Sequence, residues 1–248
     1  MALREDLERQ GAWLFRWRSY LPLLFIPLFV IALYSSGSIE RIFGDDVANF
    51  WGSVSICVSF LGLAIRGFTV GSVTRGTSGR NTRGQAAEKL NTTGMYSITR
   101  NPLYLGNFLI IFGVTLFIQV WWLALIVWIG FWPYYERIIF TEEEFLRKKF
   151  GSEFTDWAQR VPVVIPRFKN WRKPKLPFLF RTFLRREFST YFAIVAVYFF
   201  LEIARGMLVE KQFFVSNSWL IFFLVSMAIY YTLLILKKKT HILDAAGR

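Results

Sequence analysis

Residues 217–236 read NSWLIFFLVSMAIYYTLLIL, and Lys237, Lys238 and Lys239 follow at once. Twenty residues without a charge make a helix about 30 Å long, the thickness of a bilayer's hydrocarbon core. The lysine triplet anchors the end of that helix among head groups. Working back along the chain, the same reading gives apolar spans at roughly 188–208, 120–140, 102–119, 48–66 (extending to about Val70) and 19–36. The spans at 102–119 and 120–140 are separated only by Gln119, so they are expected to form a tight helical hairpin short of a full bilayer crossing. No cleavage site is convincing near the run that begins at Tyr20, and this run is read as a retained helix.

The loops orient the bundle. Loop 37–47 carries Arg41 against Glu40, Asp45 and Asp46, and loop 205–216 carries only Arg205 and Lys211. The rest of the 30 Lys and Arg residues fall in the N-terminal tail, the 66–100 loop, the 136–187 segment and the C-terminal tail. Under the positive-inside rule this alternation predicts an all-α polytopic membrane bundle of about six apolar spans, with both termini cytoplasmic. The chain is read as a single membrane domain over 1–248. Segments 71–101 and 136–187 are its cytoplasmic parts, and 188–236 is an additional C-terminal helical pair.

The composition agrees: 54% of residues are hydrophobic and 19% aromatic, with mean hydropathy +0.37. The net charge of +13 sits outside the apolar blocks. It is therefore read as facing anionic lipid, and a nucleic-acid partner is excluded. One cysteine, Cys57, forbids a disulfide within the chain, and a single histidine, His241, in the polar tail argues against a His-based metal site or a Ser-His-Asp triad. No metal is expected. The sequon Asn91-Thr92-Thr93 falls on the cytoplasmic side of this topology and is predicted to be unmodified.

Three segments carry the chemistry. The first is Gly94-Met95-Tyr96-Ser97-Ile98-Thr99-Arg100-Asn101-Pro102-Leu103-Tyr104-Leu105-Gly106-Asn107. Asn101 and Pro102 suit the N-cap and first turn of a helix, and Gly106 and Gly113 lie on one face where a neighbouring helix can approach closely. Arg100, at the membrane boundary between Tyr96 and Tyr104, either snorkels or binds an anion with its planar fork, beside the N–H groups of the helix that follows. The second segment is Thr141 to Gly151. Thr141 and Glu144 read as a capping box and Gly151 as the C′ residue, which leaves Glu142 and Glu143 for ligand contact or as solvated first-turn acids. The third is Val161-Pro162-Val163-Val164-Ile165-Pro166-Arg167, an extended exit in which Arg167 is a surface anchor or a substrate clamp. Glu136 and Arg137 lie near enough to line the same site. Glu202 and Arg205 have the spacing of a local pair.

In this order the three segments resemble the isoprenylcysteine carboxyl methyltransferase-like and phospholipid methyltransferase-like family of integral membrane enzymes. The family pattern Gly-x-Tyr-x-x-x-Arg-His/Asn-Pro-x-Tyr-x-Gly is matched by Gly94, Tyr96, Arg100, Asn101, Pro102, Tyr104 and Gly106. A hairpin and a Glu-Glu motif follow, matched either by Glu143 and Glu144, with Leu146 one place early, or by Glu142 and Glu143, with Leu146 in register. Phe150, Gly151, Pro162, Pro166 and Arg167 complete the likeness. Phe154 and Trp157 depart from it, standing where family members often have tyrosines. The resemblance covers about 90–170 and implies S-adenosylmethionine as cofactor. It implies a cofactor site built from Gly94, Tyr96, Arg100, Asn101, Pro102, Tyr104, Gly106, Glu142 and Glu143, with Arg100 and Arg167 as catalytic residues.

The acceptor is expected to be a membrane lipid. An amine would need a base near neutrality, and no histidine is at hand. A phosphate or carboxylate needs only a cationic clamp, for which Arg75, Arg80, Arg83 and Arg167 are candidates, and Asn81 joins Arg75, Arg80 and Arg83 as an expected substrate-binding residue. The Gly-rich stretch from Gly71 to Gly84 either wraps a phosphate with backbone N–H groups or is a cytoplasmic loop with basic anchors. The 66–107 stretch looks most like bacterial members, which places the chain in a bacterial inner membrane with its site facing the cytoplasm and makes lipid A 1-phosphate the sharpest candidate. Four alternatives stay open: a phospholipid amine N-methyltransferase, a prenylcysteine carboxyl methyltransferase, a nicotinamide-dependent membrane reductase and a non-catalytic scaffold.

Overall fold

A computed structural model describes residues 3–18, 20–36, 38–74, 87–213 and 215–245. Among these residues every regular element is a helix. α1 is Leu3–Trp17; a short 3-10 turn, Leu21–Phe25, runs into α2, Ile26–Tyr34; α3 is Ser38–Phe43 and α4 Asp45–Gly71. α5 is the single turn Met95–Ile98, α6 is Pro102–Phe117, α7 Trp121–Phe150 and α8 Ser152–Arg160. α9, Phe180–Arg205, and α10, Asn217–Lys239, complete the chain. Five stretches are long and apolar enough to cross a membrane: Leu21–Phe43, Asp45–Gly71, Trp121–Phe150, Phe180–Val209 and Asn217–Lys239. The protein is an integral membrane helical bundle.

α6 is the short member. Its 16 residues reach about 24 Å, less than the hydrocarbon thickness. The hairpin to α7 turns at Gln119, which takes a positive φ of 63°. The expected short hairpin is therefore present, but its second arm differs from expectation. α7 does not stop near residue 140. It runs unbroken through Thr141 to Phe150, because no glycine or further proline follows Pro133 until Gly151. Gly151 then ends it with φ 54° and its N–H bonded to the Arg147 carbonyl at 3.0 Å. Thr141 is consequently no N-cap, and the capping-box reading is corrected. Its hydroxyl donates back to the Arg137 carbonyl at 3.1 Å, and Glu144 pairs with Arg4 of α1.

The core is a seam of small residues between α4 and α6. A Cβ on Gly62 would meet the Gly106 carbonyl at 2.5 Å, and one on Gly113 would meet Ser59 Oγ at 2.3 Å and the Ser55 carbonyl at 2.6 Å. Ser59 spends its hydroxyl on the Ile110 carbonyl at 2.9 Å and the Tyr198 hydroxyl at 2.8 Å, which ties α4, α6 and α9 together. The same three helices share a buried ion pair. Arg66 grips Glu187 through two nitrogens at 2.8 and 3.0 Å and reaches Asn107 at 2.5 Å. α10 packs on α9 through stacked Phe199 and Phe223, 4.2 Å between centroids, and leaves most of its surface to lipid. Arg205, at the end of α9, lies 3.7 Å from Glu40 of α3.

α1 was not anticipated. It is amphipathic and lies along the C-terminal half of α7. Gly11 presses against Thr141 and Arg137 there, and Lys148 bonds Glu8 and Arg137 bonds Gln10, both at 2.8 Å.

Candidate active site

The polar end of the bundle carries the site, and main-chain bonds shape it. Gly94 starts the first motif with φ 61°, a conformation that disfavours other residues. The extended exit 161–172 then runs beside residues 94–100. The Gly94 N–H donates to the Arg172 carbonyl, the Arg167 N–H to Ile98 and the Arg100 N–H to Pro162, each at 2.9 Å. Thr99 donates to the Val163 and Val164 carbonyls, and the Asn101 amide nitrogen to Val163. Asn101 therefore occupies the N-cap position of α6 without capping it through its side chain. α8 closes the other side. Phe154 is fully buried, and the Trp157 ring nitrogen donates to the Tyr96 carbonyl at 3.2 Å. Both serve here as packing for the motif loop. Burial drives the Tyr96 phenol well above its ordinary value; the Glu142 charge adds to the rise and Arg186 opposes it.

Against this loop α7 presents two successive acids. Adjacent residues on a helix point about 100° apart, so each acid meets a different arginine. Glu143 pairs with Arg100 at 3.1 Å, both side chains less than one-fifth exposed. Glu142 accepts the Tyr104 hydroxyl at 2.8 Å and has Arg18, the residue after α1, at 3.6 Å. The first pair is incompletely satisfied: Arg100 Nε and Glu143 Oε1 are buried with no hydrogen-bond partner. Beside it opens a shallow pocket lined by Arg100, Arg147, Thr155, Ala158 and Gln159. A buried donor and acceptor left unpaired each cost about 1–3 kcal/mol, a cost that a bound polar ligand removes.

Of the residues singled out from sequence, Arg100, Asn101, Tyr96, Tyr104, Glu142 and Glu143 come together here, with Gly94 shaping the loop. Pro102 is buried at the start of α6, and Gly106 lies against Gly62 and Arg66 of α4. Arg167 is exposed on the exit segment, where its N–H holds Ile98. Arg137 is committed to Gln10 and the Pro133 carbonyl. Arg75, Arg80, Asn81 and Arg83 lie outside the described residues. Between the two registers of the Glu-Glu motif, Glu142 and Glu143 face the motif loop while Glu144 faces α1. Arg18 was missed, as was a polar line behind the site in which Asn107 donates to the Tyr135 hydroxyl at 3.3 Å and Tyr135 packs on Tyr104 at 4.7 Å between centroids.

The sequence model of the family described as Phospholipid methyltransferase matches residues 56–153, the stretch from the middle of α4 through the start of α8. This stretch, which carries Arg100, Glu142 and Glu143, is similar to that family. The chain is 33% identical over 122 residues to the nickel-cobalt-cadmium resistance protein NccN of Alcaligenes xylosoxydans xylosoxydans, an alignment covering 49% of this chain and 57% of that protein. It is 31% identical over 84 residues to protein-S-isoprenylcysteine O-methyltransferase B of Arabidopsis thaliana, covering 34% and 43% of the two chains. A third relative, the protein-S-isoprenylcysteine O-methyltransferase of Schizosaccharomyces pombe, is 30% identical over 77 residues, 31% of this chain and 33% of that one. The chain spans little more than half the length of the metal-resistance relatives and less of the methyltransferases. No solved structure matches it significantly. Among the described residues no group of three or more His, Cys, Asp or Glu side chains is placed to hold a metal ion.

Proposed function

We propose that the protein is an S-adenosylmethionine-dependent methyltransferase that methylates an anionic group, phosphate or carboxylate, of a membrane lipid at the cytoplasmic face. The observation that carries this reading is the Arg100–Glu143 pair, whose Nε donor and Oε1 acceptor are both buried without a hydrogen-bond partner. One donor and one acceptor on opposite charges suit a zwitterion, and the amino-acid end of S-adenosylmethionine is one. When bound, the cofactor supplies a methyl group on a sulfonium, which leaves as a thioether once the methyl is transferred. The chain's own residues do the rest. Arg100 takes a carboxylate, Glu143 an ammonium group, and Arg147 adds positive potential at the pocket mouth.

No side chain has to form a covalent intermediate, and for an anionic acceptor none has to remove a proton. Positioning then provides much of the rate. His241 pairs with Asp244 in the C-terminal tail, in keeping with a reaction that needs no imidazole base. Lipid A 1-phosphate in a bacterial inner membrane is the acceptor we favour.

The test is methyl transfer from labelled S-adenosylmethionine into the lipids of native membranes, comparing the unmodified protein with Arg100→Ala. Label should enter lipid only with the unmodified protein, and the labelled lipid names the acceptor. Absence of both label and cofactor binding would discard the reading.

A further inference from the structure

Arg18 stands outside the matched stretch 56–153 and is carried to the site by α1. The docking of α1 is built in detail. A Cβ on Gly11 would lie 2.0 Å from Thr141 Oγ1 and 2.1 Å from the Arg137 carbonyl, so only glycine allows this approach. Arg4 pairs with Glu144, Lys148 with Glu8 at 2.8 Å, and the Tyr134 hydroxyl donates to the Arg18 carbonyl at 3.3 Å. The guanidinium of Arg18 lies 4.0 Å from the Phe15 ring centroid and puts Nη1 3.4 Å from the Tyr104 hydroxyl and 3.6 Å from Glu142.

The comparison with Arg66 and Glu187 is informative. That pair is closed at 2.8 and 3.0 Å, with side chains 11% and 1% exposed. Arg18 and Glu142 remain 16% and 27% exposed and are longer than the 2.7–2.9 Å of a closed charge-assisted bond. The Arg66–Glu187 pair is sealed from solvent, whereas the Arg18–Glu142 pair is partly exposed beside Tyr104, one residue along α7 from the acid that meets Arg100.

Resting on the methyl-transfer reading, we propose that Arg18 is the cation that receives the anionic group of the acceptor, so that α1 forms the acceptor wall of the site. The two successive acids of α7 then divide the labour. Glu143 with Arg100 faces the cofactor side, and Glu142 holds Arg18 and Tyr104 in place until phosphate or carboxylate oxygens take over the guanidinium. A planar fork matches either oxyanion with two parallel bonds, whereas an ammonium acts as a point charge.

The experiment uses the full chain in nanodiscs of native-membrane lipid extract diluted stepwise with phosphatidylcholine, with labelled S-adenosylmethionine as donor. Arg18→Ala should raise the half-saturating fraction of native lipid by about tenfold, while directly measured cofactor binding stays within about twofold. Arg18→Lys should fall between, and Gly11→Ala, which displaces α1, should reproduce the loss. An unchanged lipid dependence in Arg18→Ala overturns the assignment, as does a loss of cofactor binding equal to that of Arg100→Ala. Should the alanine variant not fold, Arg18→Lys decides, because a lysine equal to arginine removes the role of the fork. No label with the unmodified protein would instead overturn the methyl-transfer reading itself.

Discussion

Removing Glu187 from a chain that already lacks Arg66 should restore stability. The two side chains are nearly sealed from solvent and touch through two bonds at 2.8 and 3.0 Å. At about 3 Å and an effective dielectric of 20, their attraction is roughly 5–6 kcal/mol. Stripping each charge of water costs several kcal/mol, so the pair as a whole is close to neutral. Arg66→Met removes that attraction from the buried Glu187 carboxylate, a loss of about 3–5 kcal/mol. Adding Glu187→Leu removes the buried carboxylate as well. What remains is the hydrogen bond from Arg66 to Asn107, about 1–3 kcal/mol. Unfolding of the purified protein in mixed micelles, followed by circular dichroism, should rank the double variant above Arg66→Met. If the second substitution adds to the loss instead, the pair stabilises the bundle in its own right and the desolvation argument is refuted.

Gly113→Ala should destabilise the bundle by about 1–3 kcal/mol in the same unfolding assay, since its methyl meets the backbone of α4 at 2.6–2.8 Å and the helices have to part. Trp157→Ala should cost about 3–5 kcal/mol, because the ring is buried against Phe154 and its N–H holds the Tyr96 carbonyl; faster hydrogen exchange across 94–100 would register it. The docking of α1 should weaken slightly in acid. The Lys148 ammonium holds the Glu8 carboxyl below its ordinary value of 4.5, so the contribution of this exposed pair is complete above that value and is lost as pH falls through the lowered one. Limited proteolysis between α1 and α2 at descending pH should show a modest rise in cleavage, and Glu8→Gln should reduce the pH dependence.

Much of the architecture is legible because lipid imposes it: an uncharged run of sufficient length has few alternatives to a helix. Gly106 and Gly113 announced a close helix contact, and the partner surface turned out to be Gly62, Ser59 and Ser55. One reading failed and one element went unread, each because the deciding partner lies far along the chain. Thr141 and Glu144 have the spacing of a helix start, but a local signature does not interrupt a helix already running through it, and the partner of Glu144 is Arg4, 140 residues away. α1 itself left a faint signal in Leu7, Gly11, Leu14, Phe15 and Arg18, which share one face. That signal is overshadowed by the charges between them, and its meaning depends on α7. The Arg100–Glu143 pair was half legible: both residues stood out, but their pairing across 43 positions is a product of the fold.

On the 162–172 side, the bonds that align this segment with residues 94–100 are made by main-chain atoms, while Ser97 and Thr99 add hydroxyls from the other side. Such a clasp reads no side chain of the exit segment. Pro162 contributes a carbonyl and has no N–H to lose, and Arg167 and Arg172 contribute only their peptide groups while their side chains stay outside. The outer charges of this segment can therefore drift over generations, retuning how the protein sits against head groups of different composition, while the geometry imposed on Arg100 is inherited unchanged.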